Sequence, residues 1–177
     1  MTERMRGDGP GPDASPGFAD ALASHAAGVT LVTIADGRDD IGTTVSAFCP
    51  VSMDPPLVLV SLIADSYPAE VLASEHGAAG LFAVSILAAG QRVLAGRFAA
   101  AGRPGARLLL EGVPHRRGMT SGALIAEGGL AALECSITMR IPAGDHLLIV
   151  GRVLAVPYVS ESGEPLVRFR GRYPLAG

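Results

Sequence analysis

The chain has no tryptophan and only two cysteines, and aromatic residues fill just 5% of its 177 positions. Charge is sparse as well, with 18% charged residues and a net charge of −3. Two cysteines in a chain of this size make no disulfide framework. Cys49 and Cys135 are therefore read as free thiols of a cytoplasmic protein. The slight negative balance offers nucleic acid no electrostatic footprint. No apolar run reaches the roughly 18 residues of a membrane span. The N-terminus lacks the charged, apolar and cleavage regions of a signal peptide. No Gly-x-Gly-x-x-Gly follows a strand-like run, which argues against a dinucleotide site of the Rossmann kind. No metal site is read either.

What is present is apolar. Hydrophobic residues make up 49% and the mean hydropathy is +0.38. The length suits one domain. A domain of 18.0 kDa exposes about 8,000 Å², more than so few charges cover comfortably. Large apolar patches mark interfaces, so a homodimer is expected. Residues 1–16, rich in Gly, Pro and Asp, read as a disordered tail. Residues 17–177 read as a single domain.

Along the chain, 18–26 (FADALASHA) suggests a short helix capped by Ser15, with Pro16 in its first turn. Residues 29–35 form a strand, Asp36-Gly37 signals a turn, and 41–48 return. Residues 57–63 (LVLVSLI) read as a buried strand, and 69–76 as a helix led by Pro68. Strand-like runs follow at 81–87, 107–111, 113–117, 123–127, 130–141, 146–156 and 165–169, with an amphipathic segment at 91–99. Gly151 inside an apolar run marks a bulge or a close backbone approach. Many short strands with two or three short helices predict a mainly β fold, a Greek-key barrel.

The chain is organised around residues 42–56, GTTVSAFCPVSMDPP. Thr43, Thr44 and Val45 are β-branched and suit a strand. Ser46, Ala47, Cys49 and Ser52 are small enough for a flat ligand to approach the backbone. Pro50 donates nothing to a ladder, so the strand should end near Cys49 and give way to a stiff loop. Such a loop would offer N–H groups to the heteroatom edge of a planar ring. An ordinary strand-loop-strand fits equally. Ser66, before Pro68, is read either as an N-cap or as part of an anion site at a helix N-terminus. His146 opens an apolar strand after a Gly144-Asp145 turn. It is either braced by Asp145 or placed at a barrel rim to meet a ligand.

These motifs together resemble the flavin reductase family of FMN-binding split β-barrels. The resemblance rests on Gly42, Thr44, Ser46, Val51, Ser52, Pro55 and Pro56, then on Gly144, Asp145, His146, Gly151 and Val153, then on Pro165, Leu166, Gly171 and Tyr173. It spans roughly residues 28–173. Pro50, Asp65 and Ser85 depart from the family pattern. The resemblance implies an NAD(P)H:flavin oxidoreductase that reduces FMN or FAD with NADH or NADPH and supplies a partner such as a monooxygenase. A flavin-binding protein without reductase activity is the alternative. It implies flavin contacts from Thr43, Thr44, Val45, Ser46, Ala47, Cys49, Pro50, Val51, Ser52 and Tyr173, phosphate near Ser66, and His146 beside the nicotinamide.

Overall fold

The computed structural model describes residues 17–37, 40–74 and 80–174. The expected tail, its Ser15 cap and the end of the 69–76 helix lie outside these residues. Helix α1 is Phe18–Ala23, shorter than expected, with Gly17 at its N-cap at φ +86° and no side-chain cap bond. None of its residues is buried, so Phe18 and Leu22 form an open apolar face.

The strands are β1 (Ala27–Gly28), β2 (Thr30–Ile34), β3 (Ile41–Val45), β4 (Phe48–Met53), β5 (Pro56–Ile63), β6 (Leu81–Ile86), β7 (His115–Arg117), β8 (Leu124–Ala126), β9 (Ala131–Ala143), β10 (His146–Val159) and β11 (Val167–Arg168). Between them lie the helices α2 (Tyr67–Ala73), α3 (Arg92–Ala99) and α4 (Ala106–Leu109). Seven strands form one antiparallel sheet in the order β3-β2-β6-β9-β10-β5-β4. The fold is mainly β, as expected from the sequence.

Sequence reading and structure differ at several places. Residues 107–111 are not a strand, because α4 covers Ala106–Leu109. The stiff loop expected after Cys49 is instead β4, paired with β5 from Phe48↔Val60 to Met53↔Pro56. Pro50 is tolerated because β4 lies at the sheet edge and needs no second partner. A register shift between Pro50 and Ser52 makes Val51 a bulge. β5 is buried on one face only: Val58, Val60 and Leu62 point inward, while Ile63 is exposed.

The sheet cannot be flat. Seven strands laid flat would put β3 and β4 about 29 Å apart. Yet Val45 pairs with Thr30 at one end of the sheet, and the Ala47 carbonyl accepts the Ser61 N–H at the other, 3.0 Å away. Only Ser46 lies between them, a span of at most about 7.6 Å. The sheet therefore curls until its two ends meet at this corner.

The curl encloses a core of Val32, Ile34, Val45, Val58, Val60, Leu62, Phe82, Val84 and Ile149, lidded by Ala69 and Leu72 of α2. A second core outside the sheet joins Val29 and Leu31 to Leu94, Phe98, Leu110 and Leu124. β2 serves both cores, so all five of its residues are buried. The hydroxyls of Thr30 and Thr33 are satisfied by the carbonyls of Val45 and Leu124. Two glycines make room for rings. A Cβ on Gly42 would overlap Phe98, and one on Gly151 would come within 2.5 Å of Phe82. Gly151 also adjoins a register shift against β9, so both readings of that glycine hold.

Two carboxylates, Asp40 and Glu134, are sealed inside. The Asp40 side chain is fully buried and accepts hydrogen bonds from Arg107 Nε (2.7 Å) and Arg117 Nη2 (2.8 Å). Burial alone would raise its pKa, but the Arg117 and Arg107 guanidiniums outweigh that and hold the carboxyl below its ordinary value. A depressed folded pKa stabilises the fold above the unfolded value, and the contribution is lost as pH falls through the folded value. Asp40→Asn should cost about 2 kcal/mol at neutral pH, the scale of hydrogen bonds to charged groups. Denaturant melts of the variant and the wild type should converge as the pH falls below about 4.

Candidate functional site

The meeting point of the sheet ends opens into a cleft of about 440 Å³ lined by Thr43, Thr44, Val45, Ser46, Ala47, Ser61, Ser66, Phe98, Arg103, His146, Arg168 and Tyr173. Its long wall is β3. As the end strand of the sheet, β3 has one partner only, β2. On an antiparallel edge, alternate residues direct both N–H and C=O away from that partner. This wall therefore offers backbone donors and acceptors behind small side chains.

His146 is placed by a two-residue turn. β9 ends at Ala143 opposite His146, and Gly144 takes φ +60° between them, as a hairpin of this length requires. The Ala64 N–H donates to the Asp145 carbonyl at 2.9 Å, which ties this turn to the segment after β5. The imidazole Nδ1 sits 2.7 Å from Asp145 Oδ1. A carboxylate only accepts, so Nδ1 carries the proton of this bond. Nε2 has no protein partner among the described residues. The His146 hydrogen bond and charge lower the Asp145 pKa. The bracing by Asp145 and the position on the cleft thus hold together.

Ser66 is the N-cap of α2. Its Oγ accepts the Ala69 N–H at 3.4 Å and donates to the Ile63 carbonyl at 2.6 Å. Its own N–H donates to Ile63 as well, and the Glu70 N–H returns to the Ser66 carbonyl. Pro68 has no N–H to offer. These groups are engaged or missing, so this seven-residue helix is a weaker anion site than the sequence suggested.

A half-buried cation comes from elsewhere. Phe98, packed on Gly42, sets α3 against β3, and the loop that follows returns Arg103 to the cleft. Arg103 Nε donates to the Gly42 carbonyl at 2.9 Å. The guanidinium is half-buried, and this burial lowers its pKa while leaving it charged. From the sequence, Arg97 and Arg103 are both candidate phosphate partners, with surface solvation favoured for each. The clue in the sequence was a Gly-Pro-Arg loop following a helix with an apolar face. Arg97 does lie at the surface, bonded to the Leu109 carbonyl. The β1–β11 ladder, Ala27↔Arg168 and Gly28↔Val167, brings Arg168 and the Tyr173 segment to the same cleft.

Thr43, Thr44, Val45, Ser46, Ala47, Ser66, His146 and Tyr173 therefore come together as expected. Cys49 faces an adjoining hollow beside α1, shared with Ser46, Ala47 and Arg168. Pro50, Val51 and Ser52 line neither, because pairing with β5 carries β4 away from the cleft. Of the departures from the family pattern, the Ser85 hydroxyl accepts the buried Ala126 N–H at 3.2 Å and is structural. Asp65 is exposed and lines a different hollow. Both thiols are free. Burial, helped by the Glu134 charge, pushes the Cys135 pKa up to about 12, so it is no nucleophile. The described residues contain no metal-binding cluster, and no described helix is long and apolar enough to cross a membrane.

Residues 22–177 match the family described as flavin reductase like domain. The chain belongs to this family. It is 38% identical over 156 residues to the reductase component of 4-hydroxyphenylacetate 3-monooxygenase from Thermus thermophilus, covering 88% of this chain and 93% of that protein. It is 35% identical over 174 residues to an NADH-dependent FMN reductase of Streptomyces nodosus subsp. asukaensis, covering 97% and 88%. The structure resembles that of an NADH:FAD oxidoreductase from Streptomyces globisporus in complex with NAD and FAD fragments. The TM-score is 0.80 at 30% identity, covering 90% of this chain and 91% of that one.

Ser66→Ala should cost about 1 kcal/mol of stability, the typical loss on removing an N-cap hydroxyl. Thermal melts of the variant read this directly.

Proposed function

We propose that this flavin reductase binds FMN, with FAD as an alternative, in the β3 cleft and reduces it with NADH or NADPH. The observation that carries this is the convergence of an open strand edge, one half-buried cation and an Asp-braced imidazole on one cleft. The edge fits the heteroatom rim of an isoalloxazine, with Thr43, Thr44, Val45, Ser46 and Ala47 as its backbone frame. Tyr173 closes the far side. Arg103 takes the phosphate, with Ser66 beside it. When bound, the flavin supplies two-electron redox chemistry, and the chain supplies placement and electrostatics. His146, held by Asp145, presents Nε2 to the nicotinamide and orients it, acting as a positioning residue.

The similarity to a monooxygenase reductase component supports delivery of reduced flavin to a partner enzyme of that class. The NADH dependence named for relatives supports NADH as the donor. The curled sheet is the split β-barrel of this reading, in one domain over 17–177 after a tail at 1–16. Free thiols and the need for a nicotinamide donor support a cytoplasmic place.

A homodimer is part of the proposal. The outward faces of β9 and β10 expose Met139, Ile141, Leu154 and Val156, and α1 exposes Phe18 and Leu22. Faces this apolar need a cover. Sedimentation at micromolar concentration should give a species of twice the chain mass, and a clean monomer would remove this element.

His146→Ala tests the positioning role. Flavin affinity should change little, while the rate of flavin reduction by NADH falls by up to about 100-fold. Stopped-flow reduction and thermal melts on one preparation check both. A lowered melting temperature with an unchanged reduction rate would leave His146 a purely structural residue.

A further inference from the structure

The flavin cleft opens past Arg103 and Ser66 into a second hollow of about 620 Å³, lined among others by Asp36, Asp40, Asp65 and Tyr67. Its charges are unevenly committed. Asp40 is buried and spent on Arg107 and Arg117, and both guanidiniums are turned toward it. Among the described residues, Asp36 accepts the Tyr67 hydroxyl, at 3.4 Å. Asp36 and Asp65 have no cationic partner among the described residues. Among the described residues, one cation, Arg103, thus lines both hollows, and two carboxylates without a cationic partner stand beyond it.

We propose that this arrangement selects a monophosphate flavin over a diphosphate one. Arg103 pairs with the first phosphate, and Asp65 with Asp36 repels a second that follows it into the adjoining hollow. The chain would then prefer FMN to FAD through residues that touch no part of FMN. This rests on the placement of the flavin phosphate at Arg103 proposed above.

Equilibrium titration followed by flavin fluorescence tests the idea with riboflavin, FMN and FAD as probes. The wild type should bind FMN more tightly than both. Asp65→Asn should tighten FAD by about threefold, the worth of one charge pair at about 6 Å in water, and leave FMN unchanged within twofold. Asp65→Asn with Asp36→Asn should tighten FAD by about tenfold. Raising the salt from about 0.02 M to about 0.5 M should change the wild-type gap between FMN and FAD more than that of the double variant. Arg103→Ala should bring FMN binding down to that of riboflavin. If FMN exceeds riboflavin but the FMN to FAD ratio is the same in wild type and variants, the selection by Asp65 and Asp36 is overturned and the phosphate placement stands. If wild-type FMN and riboflavin bind equally, the phosphate placement itself fails and the selection falls with it. Both aspartates are at least partly exposed, so melting temperatures should stay near wild type and show that the variants fold.

Discussion

Ser46 spans the gap between the two ends of a seven-stranded sheet, and the rest of the molecule follows from that short bridge. Its neighbours are committed to opposite ends, Val45 to Thr30 and Ala47 to Ser61. A sheet held this way curls, and its inner face then closes on Val60, Phe82 and Ile149 without needing a covering layer on every side. The corner also leaves a cleft, because β3 ends there with one side of its backbone unpaired. Fold and candidate site have the same origin.

The few charges of this chain are placed with consequence. Asp40 sits in a buried position where a carboxylate is costly unless it is paired, and Arg107 and Arg117 supply that pairing from α4 and β7. The cluster ties the β2–β3 turn to two later segments. Arg103 is different. Its Nε rests on a backbone carbonyl rather than a carboxylate, so its positive charge stays uncompensated at the cleft. Together with the exposed Arg168 on the same cleft, it gives the site a positive polarity that the net charge of −3 does not reveal.

Much of the site was legible in short motifs. Thr43 to Ala47 carries β-branched and small residues that mark both a strand and an approachable backbone. Gly144-Asp145-His146 encodes its own geometry: the glycine permits the turn, the aspartate braces the ring, and the ring then faces one way. The error lay at Pro50, Val51 and Ser52, read as a loop because proline interrupts a ladder. On an edge strand that interruption costs nothing, and edge position is not a local property. The burial of Asp40 and the half-burial of Arg103 were missed for the same reason, since neither their exposure nor their partners can be read from their neighbours in the chain.

By itself, the sequence determined the family and most of the strands and turns, because periodicity, β-branching and glycine–proline punctuation act over a few residues. It also determined which residues are small enough to admit a ligand. Only the tertiary structure decided which strand is an edge, where the two ends of the sheet meet, and which arginine is half-buried at the cleft. Those properties depend on contacts between residues far apart in the chain, such as Asp40 with Arg117 and Gly42 with Arg103. The cost of burying a charge or leaving a backbone group unpaired is settled only when those segments come together.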